Sequence, residues 1–187
     1  VGLETYQGKA LVNSMTGEEA RRDLILPLIQ RQGAAIIALP NDATGIPATV
    51  QERLTITEKI VRTVEKYGIS LEDLLIDPLA MPVGADPDSV KITLETIHAI
   101  RDKWGLNMTL GASNVSFGLP YRHAINAAFL PAAMSHGLTS AVMDARTPLI
   151  VEAVRAADLL LGLDPWGGNW ISRFRAIEAG KTASASG

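Results

Sequence analysis

Residues 107–122 read NMTLGASNVSFGLPYR. A short apolar run ends at Leu110, a Gly-containing loop follows, Asn114 stands inside that loop, and a segment of helical period begins at Arg122. An amide at the carboxyl end of a buried strand, ahead of a loop rich in Gly and Pro, is where a parallel α/β barrel places the groups that meet its substrate. The same layout recurs along the chain. Asn13 follows ALV, Asn41 and Asp42 follow AIIALP, Asp77 follows LLI, and Asp144 follows SAVM.

Working outward, β-branched and Leu-rich runs at 10–13, 34–39, 73–77, 107–112 and 140–145 alternate with segments of helical period at 18–31, 49–67, 88–104, 122–136 and 148–161. Strands of this length buried on both faces, each followed by a long helix, predict parallel pairing through crossover helices. Gly33, Gly68, Gly105 and Gly137 each fall where a helix has to stop in a positive-φ conformation. Thr16 ahead of two glutamates, and Asp86 with Pro87 and Asp88, read as helix starts. An open doubly wound sheet is the alternative to a barrel. Against it, no GxGxxG or GxxxxGK[ST] loop follows any strand, and polar residues end every strand where an open sheet would concentrate its site at one switch point.

The bulk properties narrow the partners. The 187 residues are 47% apolar, enough for one domain with a sizeable core. Seventeen basic and 20 acidic residues give a net charge of -3, with no basic stripe interleaved with aromatics, so a nucleic-acid partner is not expected. There is no Cys, which removes disulfides and thiolate metal sites from this sequence. No apolar stretch reaches the length of a membrane span and no segment reads as a signal peptide, so a cytoplasmic location is the expectation. Residues 1–178 read as one domain and 179–187 as a flexible tail.

Each candidate residue has a plain structural alternative. Asn13 with Ser14 could cap or turn, and Asn41 and Asp42 could close their own loop. Asp77 ends a fully apolar strand before Pro78; it either caps the following loop or receives adjacent donors from a planar ligand. Asp144 has the same geometry before a weaker loop. Asn114 can donate and accept, so it can follow a ligand atom whose protonation changes during reaction. Arg122 could meet an anionic group or remain solvated, and Asn126, one turn further on, reads as packing or loop support. His98, His123 and His136 lie in helical segments without metal spacing and read as solvated or core residues. Trp166 and Trp170 are expected to anchor the final segment, near Arg173 and Arg175, and Asp164 reads as a turn residue.

The set VNSMTGE, ALPNDATGIP, LLIDPLAMPVGAD, GASNVSFGLPYR with Asn126, and SAVMDA resembles the pterin-binding family, in particular methyltetrahydrofolate:corrinoid methyltransferases and the folate-binding module of cobalamin-dependent methionine synthase. The resemblance runs over roughly residues 8–175. It implies a (β/α)8 TIM barrel of the pterin-binding type, of which this chain holds about five carboxyl-terminal βα units, and methyl transfer between methyltetrahydrofolate and the cobalt of a corrinoid protein. It also implies roles: Asn13 and Asp77 bonding the pterin, Asn114 at nitrogen 5 as the catalytic group, and Arg122 near the pterin. No metal or cofactor of its own is implied; methyltetrahydrofolate is substrate and cobalamin is carried by a partner. A homodimer is expected.

The family's first three βα units have no counterpart in the sequence, which opens VGLETYQGK without Met; the expectation is that they belong to the same, longer polypeptide. Two other functions remain in view. One is a pterin-binding fragment without catalysis, or one completed by a partner. The other is a dihydropteroate synthase-like enzyme, for which the strand-end Lys and a final Arg-x-His are missing.

Overall fold

A computed structural model describes the backbone of residues 2–185 and side chains through residue 178. After a short helix α1 (Gly2–Thr5), strands and helices alternate: β1 (Leu11–Thr16), α2 (Glu19–Gln32), β2 (Ala35–Leu39), α3 (Val50–Lys66), β3 (Leu74–Ile76), α4 (Ser89–Trp104) and β4 (Asn107–Met108). The remainder is helical: α5 (Arg122–His136), α6 (Pro148–Leu160) and α7 (Gly168–Ala185).

The four strands are all parallel and lie in sequence order, β1-β2-β3-β4. The helices follow the same order, with α3 against α4, α4 against α5 and α5 against α6. Consecutive strands backed by consecutive helices form part of a β/α barrel; a doubly wound sheet would reverse direction partway and cover both faces.

The expected fifth strand at 140–145 is reduced to a parallel bridge between Gly111 and Val142. Ser140 N–H donates to Met108 O at 3.0 Å, Val142 N–H to Leu110 O at 2.8 Å, and Ala112 N–H to Val142 O at 3.0 Å. The segment therefore runs beside β4 without a neighbour on its other side, and Val142 is 61% exposed.

Register separates the two faces of the sheet. The row Met15, Ala38, Ile76 and Met108, with Ile36, Leu74 and Leu110, is fully buried in the cluster that also holds Ile29, Ile60, Ile97, Ile100 and Leu130 from the helices. The alternate row is Asn13, Ile37, Leu75 and Asn107, with Leu39 and Asp77 two residues further on. It faces away from the helices, because side chains alternate along a strand. A bulge between Asn13 and Met15 inserts one residue, which lets Met15 join the helix-facing row while Asn13 stays on the other face.

The glycine stops are observed. Gly33, Gly105 and Gly137 end α2, α4 and α5 in left-handed conformations, and Gly68, with φ 68°, follows α3. Thr49 begins α3 with a capping box closed by Glu52. Three details differ from expectation. β1 continues to Thr16, so Asn13 lies inside the strand and not after it. α2 starts at Glu19, and Thr16 only accepts the Glu18 N–H at 3.4 Å. The last helix, α7, was not apparent in the sequence, where two glycines and a small polar run mask it; of the tail expected from 179, the final two residues lie outside the described ones.

Candidate functional site

Parallel strands aim their carboxyl ends in one direction, and Asp77 and Asn114 lie at the ends of neighbouring strands there. Asp77 continues β3: its N–H donates to Ala38 O at 2.9 Å, and its side chain lies on the sheet face turned from the helices. Oδ1 accepts the Leu79 N–H at 2.9 Å, so Asp77 does close its own loop, and only one carboxylate oxygen is used for it. Burial pushes the Asp77 carboxyl up to about 6; the Leu79 N–H and the positive charge of Arg53 oppose the shift without cancelling it. A carboxylate in this condition favours a ligand that brings N–H donors.

Asn114 stands in a 3₁₀ turn, Ala112–Ser116, directly after the β4 segment. The turn is held by two residues of α5. Arg122 donates from Nη2 to Ser113 O at 2.6 Å and from Nε to Ser116 Oγ at 3.1 Å, and its guanidinium lies 5.9 Å from the centre of the Phe117 ring. Asn126, buried in α5, donates from Nδ2 to Ser113 Oγ at 3.3 Å, and its own Oδ1 is buried without a partner. The Asn114 amide makes no side-chain hydrogen bond among the described residues, and the residue is exposed. Arg122 is thus engaged with the loop carrying Asn114, and Asn126 has the loop-supporting place expected of it.

Gly111 makes the placement of Asn114 possible. A Cβ there would lie 3.0 Å from Asn114 Nδ2 and 3.3 Å from its Cγ, although the backbone at Gly111, φ -75°, suits any residue. Gly111→Ala is therefore expected to displace the amide without straining the chain. Any turnover that depends on this amide should fall about tenfold, the cost of roughly 1.4 kcal/mol of misplacement, while the melting temperature changes by no more than a few degrees. Unchanged turnover would show that the amide position is not critical.

Asn13 is exposed on β1, on the same face as Asp77 but about two rungs nearer the amino end of the sheet, and its side chain bonds to no described residue. Asp42 and Asp144 follow their structural alternatives, whereas the Asn41 side chain does not close its loop. Asp42 Oδ1 accepts from both the N–H and the hydroxyl of Thr44, which holds its carboxyl below the usual range. Asp144 is spanned by the Arg146 guanidinium in an exposed pair, also with a lowered carboxyl. Asn41 keeps a buried, unpartnered Oδ1 while its carbonyl accepts the Gly17 N–H at 2.7 Å.

Asp164 does more than turn the chain: its two oxygens accept the N–H groups of Asn169 and Trp170, at 3.0 and 2.9 Å, and start α7. Trp170 packs on Phe174, but Trp166 does not anchor anything; a positive φ of 63° turns it out and leaves it 98% exposed. His98 pairs with Asp102 on the surface of α4, and among the described residues no group of three or more His, Asp or Glu could hold a metal ion. No described helix is long and apolar enough to cross a membrane. A cavity of about 660 Å3 beside α6 is lined by Met143, Val151, Arg155, Asp158 and Trp170 and includes none of Asn13, Asp77 and Asn114.

Arg53 was not singled out from the sequence. It is 2% exposed inside α3 and donates to Pro47 O at 3.2 Å, Pro78 O at 2.8 Å and Leu79 O at 3.0 Å. A signal was available, because Arg53 shares its helix face with the buried Ile56, Ile60 and Val64, and a charge within an apolar stripe requires a buried partner.

Parallel strands in barrel order, backed by consecutive helices and with a carboxylate and an amide at their carboxyl ends, define part of a β/α barrel. The chain belongs to the family of pterin binding enzymes, whose model matches residues 1–144. It is 33% identical over 173 residues to the methylcorrinoid:tetrahydrofolate methyltransferase of Eubacterium limosum, covering 91% of this chain and 64% of that protein. It is 31% identical over 176 residues to the methionine synthases of Mycobacterium leprae and Mycobacterium tuberculosis, covering 87% of this chain and 15% of each of them. A crystal structure of dihydropteroate synthase from Clostridium difficile shares the fold, with a TM-score of 0.60 at 17% identity over 82% of this chain and 60% of that one.

Proposed function

We propose that this chain binds methyltetrahydrofolate at the carboxyl ends of its strands and takes part in methyl transfer between that folate and the cobalt of a corrinoid protein. The observation that carries the proposal is the pairing of Asp77 with Asn114. One is a carboxylate with an oxygen to spare, the other an amide bonded to no side chain, and they stand at the ends of neighbouring strands. The likeness to the Eubacterium limosum methyltransferase supports the reaction type.

In the transfer, the bond between the methyl carbon and nitrogen 5 breaks, and its electron pair stays on nitrogen. The methyl carbon accepts an electron pair from reduced cobalt, and nitrogen 5 takes up a proton. Asn114 would donate to nitrogen 5 as charge develops there, directly or through water. Asp77 would receive the pterin amino and ring N–H groups, Asn13 would bond the ring from β1, two strands away, and Arg122 would hold the Asn114 loop against the ligand. A corrinoid protein is then the macromolecular partner, and a homodimer is part of the same proposal.

Titration calorimetry of the full-length protein with methyltetrahydrofolate tests the binding step. Saturable binding that weakens as the pH falls through about 6, where Asp77 takes up its proton, is the expected result. Absence of binding at pH 8 would overturn it.

A further inference from the structure

We infer that Arg53 is a positioning residue for the pterin site, fixing the Asp77-Pro78-Leu79 turn so that the free carboxylate oxygen of Asp77 faces the ligand. The inference rests on the reading of Asp77 as a pterin-binding group and extends it to a residue on the helix behind the sheet.

The turn after β3 does not hold itself. Leu79 has a φ of 63°, a conformation that an L-residue with a bulky side chain adopts only under constraint. The constraint is visible. Arg53 Nη1 donates to Pro78 O and Leu79 O together, Arg53 Nε reaches back to Pro47 O, and Thr93 Oγ1 of α4 donates to Leu79 O at 3.0 Å. The same Leu79 gives its N–H to Asp77 Oδ1. Displacing the Leu79 peptide would therefore release the Asp77 carboxylate.

Burying a guanidinium is costly unless it is hydrogen-bonded, and the rigid planar fork of Arg53 reaches three carbonyls from two loops in a geometry a lysine ammonium does not reproduce. Arg53 forms no direct ion pair among the described residues; its charge acts on Asp77 through space and favours the carboxylate form. Across the small cavity beside Arg53, the other charged group is Asp86, whose Oδ1 is engaged by the Asp88 N–H.

The test compares wild type, Asp77→Asn, Arg53→Lys and Arg53→Met in the full-length protein. Methyltetrahydrofolate affinity is measured by calorimetry from pH 5 to pH 8, with circular dichroism at each pH. Arg53→Met should move the pH midpoint of binding upward, because the charge that favours ionised Asp77 is gone. Arg53→Lys keeps a charge but loses the three-way fork, and should bind about tenfold more weakly at pH 8 with its dichroism unchanged. A role in stability alone would move neither the midpoint nor the affinity of folded protein.

If Arg53→Met does not fold, Arg53→Lys decides, and wild-type affinity in that variant overturns the proposal. A wild-type midpoint in folded Arg53→Met also overturns it, while Asp77→Asn still binds weakly. If the wild type does not bind, or Asp77→Asn binds like wild type at every pH, the pterin reading of Asp77 fails and the role of Arg53 falls with it.

Discussion

Replacing Asn114 with Ala should lower the methyl-transfer rate about 100- to 1,000-fold while leaving the dissociation constant of methyltetrahydrofolate within about threefold of wild type. The asymmetry follows from the chemistry of nitrogen 5. In the methylated folate this atom is a tertiary amine with a crowded, weakly basic lone pair, so a hydrogen bond from the amide contributes little to ground-state binding. As the carbon to nitrogen bond breaks, negative charge gathers on the atom and the same hydrogen bond strengthens. An interaction made chiefly in the transition state appears in turnover and not in affinity. The protein supports such a role, since the Asn114 amide bonds to no other described side chain while the turn beneath it is fastened by Arg122 and Asn126. Single-turnover kinetics with a methylated folate, paired with calorimetry, checks this. Equal losses in rate and affinity would remove Asn114 from the transition state and leave it a binding residue.

Asp77→Asn is expected to act in two opposite directions. Pterin affinity should fall roughly 100-fold at pH 8. A carboxylate presents two acceptors to the pterin amino and ring N–H groups, whereas an amide turns one of them into a donor, and hydrogen bonds to a charged partner contribute about 1.5 to 3 kcal/mol. Stability should rise. The Asp77 carboxyl is raised to about 6 in the fold, above its ordinary 3.8, so the folded protein holds that proton more tightly than the unfolded chain. The resulting stabilisation is complete below about pH 4 and is lost as the pH rises through about 6. Above that, ionised Asp77 costs on the order of 2 kcal/mol, which a neutral Asn avoids. Urea melts should place the variant above wild type at pH 8 and level with it near pH 4. Weaker binding in a more stable protein is the mark of a group kept for its ligand; a variant weaker in both respects would assign Asp77 to the fold alone.

Much of the architecture was legible because local chemistry and global packing agree. Runs such as AIIAL and LLI, too short for helices and followed by loops, are buried strands, and the helices end where Gly33, Gly105 and Gly137 supply positive φ. The polar residues after the second, third and fourth runs marked carboxyl ends, whereas Asn13 proved to lie inside β1; the loops ranked the rest, since Asp77 before Pro78 is half-buried with a raised carboxyl and Asp144 is spent on Arg146.

What the sequence left open depends on contacts between distant segments. The task of Arg53 lies in carbonyls at 47, 78 and 79, supplied by two separate loops. The bulge that divides Asn13 from Met15 between two faces is a property of pairing with β2, invisible in VNSMT itself. Trp166 carries the composition of an anchor, yet one left-handed backbone angle turns it into solvent. The run at 140–145 has strand composition but only one neighbour to pair with.

The most direct measurement mixes the full-length protein, methyltetrahydrofolate and a corrinoid protein reduced to the cobalt(I) state, and follows the optical spectrum of the corrinoid. The account predicts conversion of the cobalt(I) spectrum to that of methylcobalt at a rate that saturates with folate and collapses in Asn114→Ala. A cobalt(I) spectrum that persists while calorimetry shows the folate bound would contradict it, and would leave a pterin-binding protein without methyl transfer.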